Sequence, residues 1–341
     1  MRMLSCVAFV FLVSCAPREA ADYAPSVPGA HLQRLYVATQ KALDRTGQTF
    51  GEERTGQMRH FRADISIPPT HRPGHVSWPK GPPDAATDFV VAGTDVYPSA
   101  RAFIADVKAA RPGQEMQVFV HGYNVTLSEG LYRLAQMRED FKVAEPSVLF
   151  AWASAGDPRG YVYDRDSVLY ARDDLEELLT ALTSGPGDRV TLLAHSMGAH
   201  LVMEVMRQAA LKGERQLLDR ISGVVLMSPD IDPDIFRRQA EAIGDLPQPF
   251  LIFVTQQDRA LSLASLITGR KKRLGVIDGP EAVAGLPVKV IDFTALADGE
   301  GLDHAVAITS PSAISVLNGM LAQASSGRDA FEDYMVLEAQ P

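Results

Sequence analysis

The sequence predicts an α/β fold, a mostly parallel central sheet with helices on both faces and an antiparallel N-terminal margin. Three observations carry this expectation. Short apolar runs recur at regular spacing from Phe89 onward, stretches with helical periodicity lie between most of them, and residues capable of chemistry follow the ends of the runs. Runs of this length, rich in Val, Leu, Ile and Phe, suit strands buried on both faces, and groups that act on a ligand belong at the carboxyl ends of such strands.

With 341 residues, 46% of them hydrophobic, the chain can bury a full core. One α/β domain with added segments fits better than two separate domains. The formal charge of −9 argues against a nucleic-acid partner held on a basic face.

The N-terminus carries Arg2 and then an apolar run, Met3 to Val13, of signal-peptide length. That run ends in LVSC, Leu12 to Cys15, which resembles the lipobox of bacterial lipoproteins. The resemblance implies removal of residues 1–14 and a lipid on Cys15, with an ordinary signal peptide or a short uncleaved anchor as the alternative. Both cysteines of the chain, Cys6 and Cys15, lie here, so the folded part is expected to hold no disulfide. Ala16 after the cysteine, by resemblance to sorted lipoproteins, implies an envelope location at the periplasmic side of an outer membrane. Residues 15–30 carry little apolar bulk and are expected to be a flexible tether, reaching roughly 20 Å.

Leu32 to Ala38 and Met58 to Pro68 alternate as half-buried strands should, and they predict the antiparallel margin. Residues 69–83, rich in proline and glycine without a period, predict a loop. His71 and His75 within it have no carboxylate or cysteine at ligand spacing, so they are expected to be solvated rather than to hold a metal. Strands are then expected at Phe89 to Ala92, Met116 to Val120, Val148 to Trp152, Val190 to Ala194, Gly223 to Met227, Phe250 to Val254 and Val288 to Ile291. Helices are expected at Ser99 to Ala110, Leu127 to Phe141, Asp166 to Leu182, Gly198 to Leu211, Asp234 to Ile243 and Arg259 to Ile267. The domain so delimited spans residues 31–325, with 326–341 as a tail.

The sharpest local signal is the passage from Arg189 to Met206, RVTLLAHSMGAHLVMEVM. A buried strand must turn into a helix across AHSMG within a residue or two. Such a strand–Ser–helix turn resembles the nucleophile elbow of α/β-hydrolases, with Ser196 at its apex. Gly198 keeps the second small position of the usual GxSxG form, and Ala194 replaces the first glycine. The turn aims the N–H of Met197 and a helix start at the site, which favours a developing oxyanion.

The strand Met116 to Val120 runs into HGYN. A second oxyanion donor follows the equivalent strand in these hydrolases, and here it would be the N–H of Tyr123, with Gly122 allowing close approach. His121 and His195 are read as supports of the loop and the elbow. After Ser196 only His200 and His304 remain as bases. His200 precedes every plausible acid, whereas His304 satisfies the order Ser, acid, His. The acid is Asp258, after the strand Phe250 to Val254, or Asp230, after Gly223 to Met227; the former has no evident local task. Asp230, Asp232 and Asp234 alternate like the start of a calcium loop, but Ile235 stands where that loop needs glycine. Asp232 before Pro233 is read instead as a helix cap. Arg270 to Arg273, RKKR, is read as a solvated helix end.

HGYN, the WASAG segment after Val148 to Phe150, HSMG, PDID, and QQDRAL followed later by RLG together resemble the bacterial α/β-hydrolases known as esterase/lipase-superfamily enzymes of unknown specificity. The resemblance covers roughly Leu32 to Asn318. It implies the α/β-hydrolase fold and a triad of Ser196, Asp258 and His304 acting on a small-molecule or lipid ester without cofactor or metal. Ala153, where the family has proline, and Ala199, where asparagine is frequent, depart from the pattern and bear on pocket shape. Thioester hydrolysis, acyl transfer and amide hydrolysis use the same triad, and a non-catalytic tethered lipoprotein is the reading from another class.

Overall fold

The computed structural model describes residues 20–43, 50–110, 115–269, 271–297, 303–325 and 334–337. The signal segment and Cys15 lie outside the described residues.

Ten strands form one sheet: β1 (His31–Leu43), β2 (Phe50–Ile67), β3 (Val90–Val96), β4 (Glu115–Val120), β5 (Ser147–Ala151), β6 (Arg189–His195), β7 (Ile221–Met227), β8 (Phe250–Val254), β9 (Lys289–Asp292) and β10 (Tyr334–Val336). Their spatial order is β10-β9-β8-β7-β6-β4-β5-β1-β2-β3. The pairs β1/β2 and β2/β3 are antiparallel and the others are parallel, which is the α/β-hydrolase fold with its antiparallel margin. Helices α1 (Ala100–Ala110), α2 (Leu127–Asp140), α3 (Tyr161–Leu182), α4 (Met197–Lys212), α5 (Arg215–Asp219), α6 (Pro233–Ile243), α7 (Arg259–Ile267), α8 (Val306–Thr309) and α9 (Pro311–Ser325) connect or follow them.

Two hydrophobic layers sandwich the sheet, because side chains on a strand alternate between faces. On β6, Val190, Leu192 and Ala194 join Val168 and Leu175 of α3 and Leu201 and Val205 of α4. On the other face, Phe119 and Leu149 pack with Leu131 and Leu134 of α2 and with Ala313 and Leu317 of α9. The chain leaves β4 toward β5 on one side and returns to β6 on the other. The reversal of order therefore falls between β4 and β6, the place where open α/β sheets bind ligands. The register sets Val120 beside Ala194 and Ala194 beside Leu226, so the residues that follow these strands emerge side by side.

Local chemistry sets the helix starts. Thr126 and Glu129 form a reciprocal capping box at α2. Asp232 accepts from the Asp234 N–H ahead of Pro233 at α6, as the sequence suggests.

Three expectations need correction. Residues 20–30 do not hang free: Asp22 and Ala24 exchange backbone hydrogen bonds with Val91, and Ser26 bonds Ser66. Backbone pairing with the sheet's margin replaces the apolar bulk this stretch lacks. Residues 334–336, read as tail, pair in parallel with β9. Helix α3 begins at Tyr161, five residues before Asp166, and carries two tyrosines into its first turn.

Candidate active site

Ser196 sits between β6 and α4 with φ 54° and ψ −121°. A non-glycine residue in such a conformation costs on the order of 1–3 kcal/mol and persists only where the surroundings enforce it. They do so here on several sides. The Ser196 N–H donates to Met227 O at 2.9 Å, and its carbonyl accepts from the N–H groups of Asp230 and Ala199, each at 3.1 Å. Gly198 presses against the end of β4: a Cβ there would lie 2.4 Å from His121 O and 2.5 Å from Val120 O. A Cβ on Gly122 would lie 2.9 Å from Ser196 Cβ. Both glycines are therefore required by close approach, and the approach brings the loop after β4 against the serine. Ala194 is fully buried in the β6 core layer, which accommodates its methyl where the usual motif has glycine.

His304 follows β9, and its Nδ1 lies 2.7 Å from Asp258 Oδ2. Asp258 is fully buried, and its Oδ1 accepts from the Leu261 N–H at 2.9 Å, capping α7. Asp258 thus has a local task that the sequence hides, and one that locks its rotamer. The carbonyl of His304 accepts from His195 Nε2 at 3.0 Å. His195 immediately precedes Ser196, so this bond ties the segment bearing His304 to the elbow. Because a carbonyl only accepts, His195 carries its proton on Nε2.

Asp230 lies elsewhere. Its carboxylate takes Arg273 Nε at 2.5 Å and the Tyr161 hydroxyl at 2.9 Å, and Arg273 Nη2 reaches the same hydroxyl at 3.3 Å. Arg273 is buried, so the RKKR run is not uniformly solvated; Lys272 pairs with Asp278 at the surface, and Arg270 lies outside the described residues. The expected solvation of His71 is also overturned. Its Nε2 lies 2.7 Å from the buried Asp140, and its ring stands edge-on to Phe89.

His121 lies flat on Trp152, with ring centroids 5.0 Å apart and an interplanar angle of 11°. Its Nδ1 donates to Gly122 O at 2.9 Å, while Trp152 Nε1 donates to His121 O at 2.8 Å. Burial pushes the imidazoles of both His121 and His195 down to about 3. Both are neutral supports at any ordinary pH.

The residue that sequence reasoning missed is Asp164, in the first turn of α3. Its carboxylate accepts from Asn124 N at 3.0 Å, Ala155 N at 2.7 Å and the Ser154 hydroxyl at 2.6 Å. Ser154 Oγ in turn accepts from Val125 N at 3.1 Å, and the buried Lys41 donates to Ser154 O at 2.5 Å. The network fastens the loop of Gly122 and Tyr123, in which Asn124 has φ 58°. Desolvation raises the Asp164 carboxyl above its usual range. The signal available in the sequence was an aspartate at the start of α3, obscured because that start was placed too late.

Tyr123 and Met197 occupy the two positions expected of oxyanion donors, one in the loop after β4 and one at the first residue of α4. Among the described residues no group of three or more His, Cys, Asp or Glu side chains is placed to hold a metal.

A family model described as an alpha/beta hydrolase of unknown function (DUF900) matches residues 98–321. No curated protein matches the chain. Among solved structures it is similar to a dienelactone hydrolase from Anabaena variabilis, at 12% identity over 86% of this chain and 96% of that one, with a TM-score of 0.40. It is similar also to a thermostable carboxylesterase cloned from a metagenomic library, at 11% identity over 89% and 90% of the two chains, TM-score 0.36. A phospholipase from Legionella pneumophila matches at 13% identity over 60% and 59%, TM-score 0.34. The family match spans well over half of the sequence, from just before α1 into α9, and the chain belongs to this family of α/β-hydrolases of unknown function.

Proposed function

We propose that the protein is a serine hydrolase that cleaves carboxylic esters through an acyl-enzyme. The observation that carries this reading is the strained Ser196 at the strand–helix elbow, pressed against the loop after β4. In the proposed mechanism Ser196 Oγ attacks the ester carbonyl while His304 Nε2 takes the hydroxyl proton. Asp258 Oδ2 holds the Nδ1–H and stabilises the imidazolium that forms. The N–H groups of Tyr123 and Met197 receive the oxyanion. His304 then returns the proton to the leaving alcohol, and water, activated by the same imidazole, releases the acid. Thioesters and activated amides fit the same machinery, and a substrate screen separates them.

The test compares Asp258→Asn with Asp230→Asn on one activated ester. Asn caps a helix about as well as Asp, so Asp258→Asn is expected to keep its melting temperature and lose on the order of 10⁴ in kcat. Asp230→Asn leaves the buried Arg273 without its counter-charge, so it is expected to lose about 3–5 kcal/mol of stability while the folded fraction turns over normally. The reverse pattern would move the acid to Asp230.

The reading extends to location. LVSC supports lipidation of Cys15, and four residues, 16–19, separate it from Ala20, where the described chain begins. The stretch from Cys15 to Ala20 spans at most about 18 Å, less than the tether first expected, so the domain would lie against the bilayer. Cys15→Ser should shift the protein from the membrane to the soluble fraction, and retention in membranes would refute the anchor.

A further inference from the structure

A cavity of about 340 Å³ opens beside the elbow. At one end it is lined by Gly122, His195 and Ala305, which neighbour Tyr123, Ser196 and His304 in the chain. Trp78, Phe119, Val125 and Ile308 give it an apolar stretch of wall, and Asn124, Glu129 and Arg133 give it polar groups. It meets a second, larger cavity of about 1100 Å³ along Val76, Trp78 and Arg133, which line both. Of these three, Arg133 is the one that carries a charge.

Arg133 is half-buried on α2, and its hydrogen bonds use one nitrogen only. Nη1 donates to Gln136 Oε1 at 2.7 Å and to Gly74 O at 3.3 Å. Nε and Nη2 have no protein acceptor among the described residues, and neither is sealed away from solvent. No carboxylate oxygen of the described residues lies within 4.0 Å of the guanidinium. The two acids whose charge acts on it are committed elsewhere. Asp140 takes His71 Nε2 at 2.7 Å, the Gly74 N–H at 2.7 Å and Gln136 Nε2. Glu129, which also lines the smaller cavity, accepts the Thr126 N–H at 2.8 Å in the α2 capping box. Desolvation outweighs the pull of both acids and lowers the guanidinium to about 10. A cation that lines both cavities with three N–H bonds unspent is a site for a planar or tetrahedral anion, which it can grip with two parallel bonds.

We infer that Arg133 forms an anion subsite, and that the preferred substrate is an ester carrying a second, anionic group, a carboxylate or a phosphate, seated at the junction of the two cavities. The inference rests on the serine-hydrolase reading for its chemistry, but binding of the anion does not depend on turnover. The ester bond is cleaved as above; the anionic group is held by Nε and Nη2 and undergoes no reaction.

Two matched pairs test it: p-nitrophenyl butyrate against mono-p-nitrophenyl glutarate, and a monoacylglycerol against the corresponding monoacylglycerol phosphate. Wild type is expected to favour the charged member of one pair, which identifies the anion as carboxylate or phosphate. Arg133→Met should lower the charged-over-neutral ratio of kcat/KM by about 10- to 100-fold, the worth of a charged hydrogen-bonded pair. Arg133→Lys, which keeps the charge without the fork, should fall between. Arg159→Met, at an exposed arginine paired with Asp157, should change neither ratio. In parallel, glutarate or inorganic phosphate should raise the melting temperature of Ser196→Ala, and not that of Ser196→Ala/Arg133→Met. Absence of any preference for charge in wild type, an unchanged ratio in Arg133→Met, or no thermal shift by either anion overturns the subsite. If both anions shift the melting temperature through Arg133 while no ester is hydrolysed, the subsite stands and the esterase reading fails.

Discussion

Acidification from about pH 7.5 to about pH 5 should weaken the fold through two imidazoles, while the Asp164 carboxyl, raised by desolvation, pulls the other way. His121 is almost fully buried, and desolvation, reinforced by the nearby Lys41 charge, holds it at about 3 against an ordinary 6.5. In the unfolded chain the same ring takes a proton as the pH falls past its ordinary value. Its contribution to stability is therefore complete above about pH 6.5 and is lost progressively down to about pH 3, at about 1.4 kcal/mol per pH unit. At pH 5 the loss is about 2 kcal/mol for His121. His195 shifts in the same direction, to about 3, chiefly by desolvation, but it faces the cavity and is counted at less. Together the two give about 2–4 kcal/mol, with burial lowering His60 and His200 in the same sense. Glu139 titrates in another window: burial pushes it up, but hydrogen bonds from His31, Lys142 and Gln33 bring it down to about 2, so its loss starts only below about pH 4.5. Urea titration at the two pH values measures the difference directly. His121→Gln should remove about 2 kcal/mol of the pH-dependent part, whatever it does to absolute stability. Equal unfolding free energies at both pH values, or an unchanged difference in His121→Gln, would refute the assignment of a neutral, buried imidazole.

Two further substitutions address the elbow and its loop. Gly198→Ala would place a methyl 2.4 Å and 2.5 Å from two backbone carbonyls that cannot move aside cheaply; a cost of at least about 1–3 kcal/mol is expected, read as a lowered melting temperature, and an unaltered melt would contradict the close packing of elbow on β4. Asp164→Asn turns one acceptor of the loop network into a donor facing the Asn124 or Ala155 N–H, so kcat on an activated ester should fall by about tenfold or more with KM within about threefold; normal kcat in a folded variant would show that the loop holds itself.

The central sheet was readable because buried parallel strands are short, wholly apolar and separated by amphipathic helices, and β4 to β9 lie where those runs are. Elements that depend on partners far along the chain were not. Residues 20–30 look like linker by composition, yet β3 supplies them with backbone partners. Helix α9 has alanine, serine and glycine among its apolar residues and presents no clear stripe. The start of α3, with Tyr161 and Tyr163, resembles loop in propensity and is helical because Tyr161 is fixed by Asp230 and Arg273. At the candidate site, the elbow serine, the His-Gly loop and the histidine near the C-terminus are local or order-dependent signals. The choice between Asp258 and Asp230 was not local. It turns on Arg273, 43 residues from Asp230, whose run of basic neighbours looks like any exposed cluster. The unspent donors of Arg133 were invisible for the same reason, since its surroundings come from residues 74–78, 119–125 and 305–309 at once.

The most direct test of the account is covalent labelling by a fluorophosphonate followed by mass analysis of the modified peptide. Phosphonylation requires a serine made nucleophilic by an adjacent base, independent of which ester is the natural substrate. The account predicts one adduct per chain, on Ser196, abolished in Ser196→Ala and strongly slowed in His304→Ala. Equal labelling of wild type and Ser196→Ala, or no adduct on a folded wild-type protein, would contradict it.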